Sequence, residues 1–115
     1  MFFLGLLYHL KNPFYVLEAL AQRAELCFLS TRVARQAPDG TPLREQPVAY
    51  LLDPAEANDD ATNFWIFSET GLKRLFARTG WEVVEFTTVG CADGSEPARA
   101  DRDERAFALL RSTKV

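Results

Sequence analysis

At 115 residues, with 48% hydrophobic and 25% charged side chains, the chain has room for one packed domain and is too apolar for wholesale disorder. Sixteen acids against 13 bases give a net charge of -3, without the basic stripe that holds nucleic acid by its phosphates. Two cysteines, Cys27 and Cys91, are too few for a disulfide scaffold and lack metal-ligand spacing, so a reducing, cytoplasmic setting fits them.

The first ten residues are very apolar but have no positive flank and no small-residue cleavage site, and they are too short to cross a bilayer. No membrane partner is expected. The continuous apolar run from Phe2 to Leu7 predicts a strand covered on both faces in a parallel sheet. Asn12 can cap a helix and Pro13 fits its first turn; Phe14, Leu17, Leu20 and Ala21 then recur at helical spacing. Residues 26–33 predict the next strand, in which Cys27 acts as a small buried hydrophobe. Turn-forming residues fill 35–47, a short extended piece covers 48–52, and a second loop runs over 53–63.

Ser68 predicts a second helix cap, with Leu72, Leu75 and Phe76 as the buried stripe and Gly80 as the stop. Residues 81–88 read as a strand with Trp81 in the core, 90–104 as a polar loop, and 106–112 as a final strand. The mixed charges between Arg99 and Arg105 read as a solvated loop. Asp53, Glu56, Asp59 and Asp60 fail the calcium-loop pattern, because alanines, an asparagine and Phe64 fall at ligand and glycine positions; no metal site is expected. There is also no Gly-x-Ser-x-Gly elbow and no phosphate-binding loop. The order β-α-β-loop-α-β-β predicts an α/β fold in a single partial domain over residues 1–115. Its sheet should have about four strands, mostly parallel with a C-terminal antiparallel hairpin, and two main helices.

Two stretches carry a resemblance. Phe3-Leu4-Gly5-Leu6-Leu7-Tyr8-His9-Leu10, followed by Lys11-Asn12-Pro13, resembles a "GVLYHL-x-x-P" stretch at the end of the fourth strand of class I S-adenosylmethionine-dependent methyltransferases. Thr62-Asn63-Phe64-Trp65, then Ser68, Leu72 and Gly80-Trp81, is similar to the "N-x-W…L…aGF" passage of members resembling the tRNA wobble-uridine enzymes. The resemblance covers nearly the whole chain and implies the C-terminal half of that Rossmann-like fold. It implies a transfer site at Tyr8 and His9, cofactor contact at Gly5 and Leu6, and a substrate pocket with Asn63 and Trp65. On their own, the residues also admit plainer roles. His9 can end a strand, Gly5 can be a packing glycine, Asn63 can cap, and Trp65 can belong to the core.

The departures set the functional expectation. Family members hold the cofactor with a glycine-rich turn and an acid that ends the second strand, whereas this chain has no Gly-x-Gly anywhere. It is therefore expected not to bind S-adenosylmethionine alone, and to be inactive without a complementary methyltransferase half. A non-catalytic dimerisation or regulatory module is the alternative. One side of the strand from Phe2 to Leu7 should lack a neighbour, and an apolar edge of that kind favours a homodimer that pairs two such strands.

Overall fold

The computed structural model describes residues 1–54, 56 and 61–115. Asp59 and Asp60 of the acidic loop lie outside the described residues. In chain order the elements are β1 (Phe2–Leu4), α1 (Pro13–Ala21), β2 (Leu26–Val33), β3 (Ala49–Leu51), β4 (Trp65–Phe67), α2 (Glu69–Arg78), β5 (Trp81–Gly90) and β6 (Glu104–Ser112). Short 3-10 turns occupy Leu7–His9 and Ala100–Arg102.

β2 organises the sheet. Along its whole length it pairs antiparallel with β6, and β6 pairs antiparallel with β5. On its other side it takes β1 in parallel and, at Val33, β4, which carries β3 antiparallel. The sheet therefore has six strands rather than the four expected, and its pairing is mostly antiparallel rather than mostly parallel, because β6 inserts beside β2 along its whole length. The two added strands are β3, within the short extended piece expected over 48–52, and β4, three residues lodged between a loop and a helix cap, too short to show a period of its own.

Both helices start where their sequences say. The Tyr15 N–H donates to Asn12 Oδ1 at 3.1 Å, with Pro13 at the first helical position. The Gly71 N–H donates to Ser68 Oγ at 2.9 Å. Leu17 and Ala21 of α1 and Leu72, Leu75 and Phe76 of α2 share one core with Cys27, Leu29 and Val33 of β2 and Ala106, Ala108 and Leu110 of β6. Trp81 is buried there as expected, its indole N–H satisfied by the Leu17 carbonyl at 3.0 Å. Burial also raises the Cys27 thiol pKa, as suits an inert packing residue.

Strand residues alternate between faces, so the opposite face of β2 and β6 carries Leu26, Phe28, Phe107 and Leu109. Leu26 and Phe28 are exposed, and Phe28, Glu85, Phe86, Thr87, Phe107 and Leu109 line an open groove of about 450 Å³ there. No described helix packs on that face.

Three boundaries differ from the sequence reading. The strand expected over Phe2 to Leu7 stops at Leu4, because Gly5 turns to φ +66° and sends its N–H to the Ser30 carbonyl at 2.9 Å. The chain then winds into the Leu7–His9 turn, which buries Leu7 in the core. The last two strands are each longer by two residues, reaching the pair Gly90–Glu104. The charge run from Arg99 to Arg105 is only partly a solvated loop. Arg99 and Asp101 pair in solvent at 2.7 Å, but Glu104 is wholly buried. Among the described residues no helix is long and apolar enough to cross a membrane, and no cluster of metal-ligating side chains occurs.

Candidate functional site

The predicted residues converge where β1 ends. Gly5 closes the strand with its N–H shared between the Ser30 carbonyl and Ser30 Oγ, at 2.9 and 3.0 Å. A Cβ built there would meet Arg105 Nη1 at 3.6 Å and the Tyr8 hydroxyl at 4.0 Å, which is ordinary contact. The backbone conformation, not crowding, thus calls for glycine. Leu6 is exposed beside it.

Tyr8 and His9 follow on the 3-10 turn with their rings 4.4 Å apart and tilted by 40°. The segment 62–65 is strapped across this turn. The Phe64 N–H donates to the Tyr8 carbonyl at 2.7 Å, and His9 Nδ1 lies 3.0 Å from the Thr62 carbonyl oxygen. Thr62 Oγ1 stands 3.2 Å from the same nitrogen. Asn63 is buried in the strap. Trp65 is half-buried against the core, with its indole N–H spent on the Lys11 carbonyl at 3.1 Å. The structure therefore brings Gly5, Leu6, Tyr8, His9, Asn63 and Trp65 into one neighbourhood. Asn63 and Trp65 are taken up by packing and backbone contacts and His9 Nδ1 by the Thr62 carbonyl, which leaves Leu6, Tyr8 and the far nitrogen of His9 to face a ligand.

Two arginines complete the surroundings; the sequence reading has Arg105 only as the end of a solvated charge run and does not single out Arg32 at all. They are register partners, Arg32 on β2 and Arg105 on β6. Arg32 is buried and held by an ion pair and two backbone carbonyls. Its Nε pairs with Asp103 at 2.8 Å, and its Nη2 donates to the Glu96 and Arg99 carbonyls at 2.9 and 2.8 Å. Burial still lowers its pKa, against the pull of Asp103. Arg105 has no carboxylate partner among the described residues; its guanidinium lies 5.6 Å from the centre of the Tyr8 ring. Near the ends of β1 and β2 the chain thus sets a hydroxyl, an imidazole and a guanidinium close together, an arrangement suited to a polar ligand with some negative charge.

The loop beyond is anchored by a second ion pair. Arg35 grips Glu104 with two bonds of 2.8 Å, and Ser95 Oγ donates to Glu104 Oε1 at 2.8 Å. Burial opposes the charge on Glu104, but the bonds from Arg35, Thr88 and Ser95 outweigh it and hold the carboxyl below its ordinary range. On the far side of the strap, Glu56 accepts from the Tyr50 hydroxyl at 2.6 Å, which with burial pushes that phenol up to about 12.

No protein-family model and no curated protein matches the chain. Among solved structures it is similar to the N-terminal domain of EvdMO1 with SAH (S-adenosylhomocysteine) bound, at 16% identity and a TM-score of 0.55. The same domain in the presence of SAH and D-fucose gives the same identity and score. Each match covers 96% of this chain but only 44% and 46% of those domains, so the chain spans less than half their length. In fold, then, this chain is like part of a domain that holds SAH.

Proposed function

We propose that the chain is the acceptor-side half of a methyltransferase-like domain, with the S-adenosylmethionine site completed by a glycine-rich half on another segment or subunit. The carrying observation is the fold likeness of nearly the entire chain to part of an SAH-bound domain. Its own residues do not make a cofactor site. Gly5 gives one bare turn, but none of the six glycines forms the Gly-x-Gly cradle that lets backbone approach such a ligand. On this reading, Tyr8 and His9 orient the methyl acceptor, Gly5 and Leu6 border the cofactor, and Asn63 and Trp65 hold the strap that shapes the acceptor side. Calorimetric titration with SAH tests it. The expected result is no saturable heat from the chain alone, and saturable binding once a polypeptide carrying the glycine-rich half is supplied. Saturable binding by the chain alone would mean that self-association completes the site. A completed assembly that still ignores SAH would sink the methyltransferase reading.

A second reading, a dimerisation module, is favoured by the outer edge of β1. The ladder to β2 ends on Met1, whose carbonyl accepts from the Phe28 N–H, and on Gly5, which donates to Ser30. Alternation then turns the N–H and C=O groups of Phe2 and Leu4 outward. Their side chains are exposed, Phe2 to 78%. Two copies related by a two-fold axis would pair Phe2 of one with Leu4 of the other, exchanging four backbone hydrogen bonds. Sedimentation equilibrium should show a dimer that Phe2→Glu converts to monomer. A wild-type chain that stays monomeric at high micromolar concentration counts against this reading.

A further inference from the structure

We infer that the Thr62 carbonyl is a positioning group that fixes the His9 imidazole with its proton on Nδ1. The other nitrogen, Nε2, then serves as a hydrogen-bond acceptor for ligands that present an O–H or N–H group. A carbonyl oxygen can only accept, so at 3.0 Å from His9 Nδ1 the contact is favourable only if that nitrogen carries the hydrogen. With Nδ1 bare, two lone pairs would face each other at that distance. Thr62 Oγ1, at 3.2 Å, is compatible because a hydroxyl oxygen can accept as well as donate. The carbonyl therefore decides the tautomer, and the hydroxyl follows it.

The placement is held from both sides. The Phe64 N–H bonds to the Tyr8 carbonyl, which locks the strap in register with the Tyr8–His9 turn, and the Tyr8 ring packs on the imidazole at 4.4 Å. With Nδ1 spent on backbone, the neutral ring keeps one lone pair, on Nε2. A ligand hydroxyl or amine that donates to it is thereby oriented, and the Thr62 carbonyl stabilises the imidazolium if the proton passes over. Use of this acceptor toward a methyl-receiving group rests on the functional reading above. The tautomer does not.

His9 is the only histidine, so long-range proton–nitrogen correlation spectra of the full chain, taken above the imidazole titration, report on it without ambiguity. The expected spectrum shows Nδ1 protonated and Nε2 bare, and Thr62→Ala, which keeps the carbonyl, leaves that pattern unchanged. A dominant Nε2–H tautomer overturns the inference. So does a tautomer switch in Thr62→Ala, which would give the deciding role to the hydroxyl. Diethyl pyrocarbonate should acylate His9 on Nε2 alone, and modification on Nδ1 would also overturn it. None of these readouts depends on SAH, so the inference and the methyltransferase reading fail or stand separately.

Discussion

Glu104 is a carboxylate with no exposed surface, tied by two bonds to Arg35 and one to Ser95, and its removal should be felt far from any ligand. Glu104→Gln leaves a mostly buried guanidinium without its main counter-charge, and losses of this kind run to about 3–5 kcal/mol. Glu69, 3.5 Å from Arg35, offers a partial substitute, so the lower end is expected in urea denaturation. The pH dependence follows from the depressed carboxyl. A group whose pKa falls on folding adds stability above its unfolded value and loses it as pH drops through the folded one. The wild type should therefore lose stability progressively below about 4.5, the ordinary glutamate value, and Glu104→Gln should flatten that decline. A variant with an unchanged acid slope would show that other carboxyls carry it. Nothing in the sequence marked this pair, because residues 35 and 104 are joined only by the register of β2 with β6. A mixed charge run reads the same whether or not one of its acids is drawn inside.

Helix starts are encoded in a few neighbouring residues, and both were legible. Asn12-Pro13 and Ser68 do in space what their order implies. Ser68 does more than cap. Its hydroxyl donates to the Gln46 carbonyl at 2.5 Å and stands 3.2 Å from the Val48 N–H, so it also pins the loop that precedes β3. Ser68→Ala should cost more than the about 1 kcal/mol of a simple cap, as read from thermal melting. A loss of only a few tenths would mean the loop is held elsewhere. Gly71 tests the same joint from the other side. A Cβ there would fall 2.5 Å from the Val48 carbonyl oxygen, so Gly71→Ala must push the loop away and should cost about 1–3 kcal/mol. β4 was not legible, since its three residues are a strand only because Val33 and the β3 hairpin offer them partners. The strap over His9 escaped for a related reason. Its working groups are the Thr62 carbonyl and the Phe64 N–H, and backbone groups leave no trace in residue identity.

At the scale of the molecule, the α/β class, both helices and the C-terminal hairpin followed from apolar patterning, whereas the curl of the sheet through β3 and β4 did not. The predicted site residues did gather at one strand end, although Asn63 and Trp65 proved largely committed to packing. Part of one sheet face is left open, with Phe28 exposed and Phe107 and Leu109 half-buried beside it. β6 follows β5 in the chain but lies between β5 and β2, and it pairs Leu26 with Arg111. Synthesis runs from the N-terminus at about 5–20 residues per second. For about 1–4 seconds, then, a nascent chain holds β2 and β5 with no strand to join them. The central ladder closes only when Glu104–Ser112 arrive, and pairings so distant in sequence form slowly. During that interval the apolar strands are available to any other edge nearby, so the timing of synthesis, and not only the finished surface, governs what this protein first associates with.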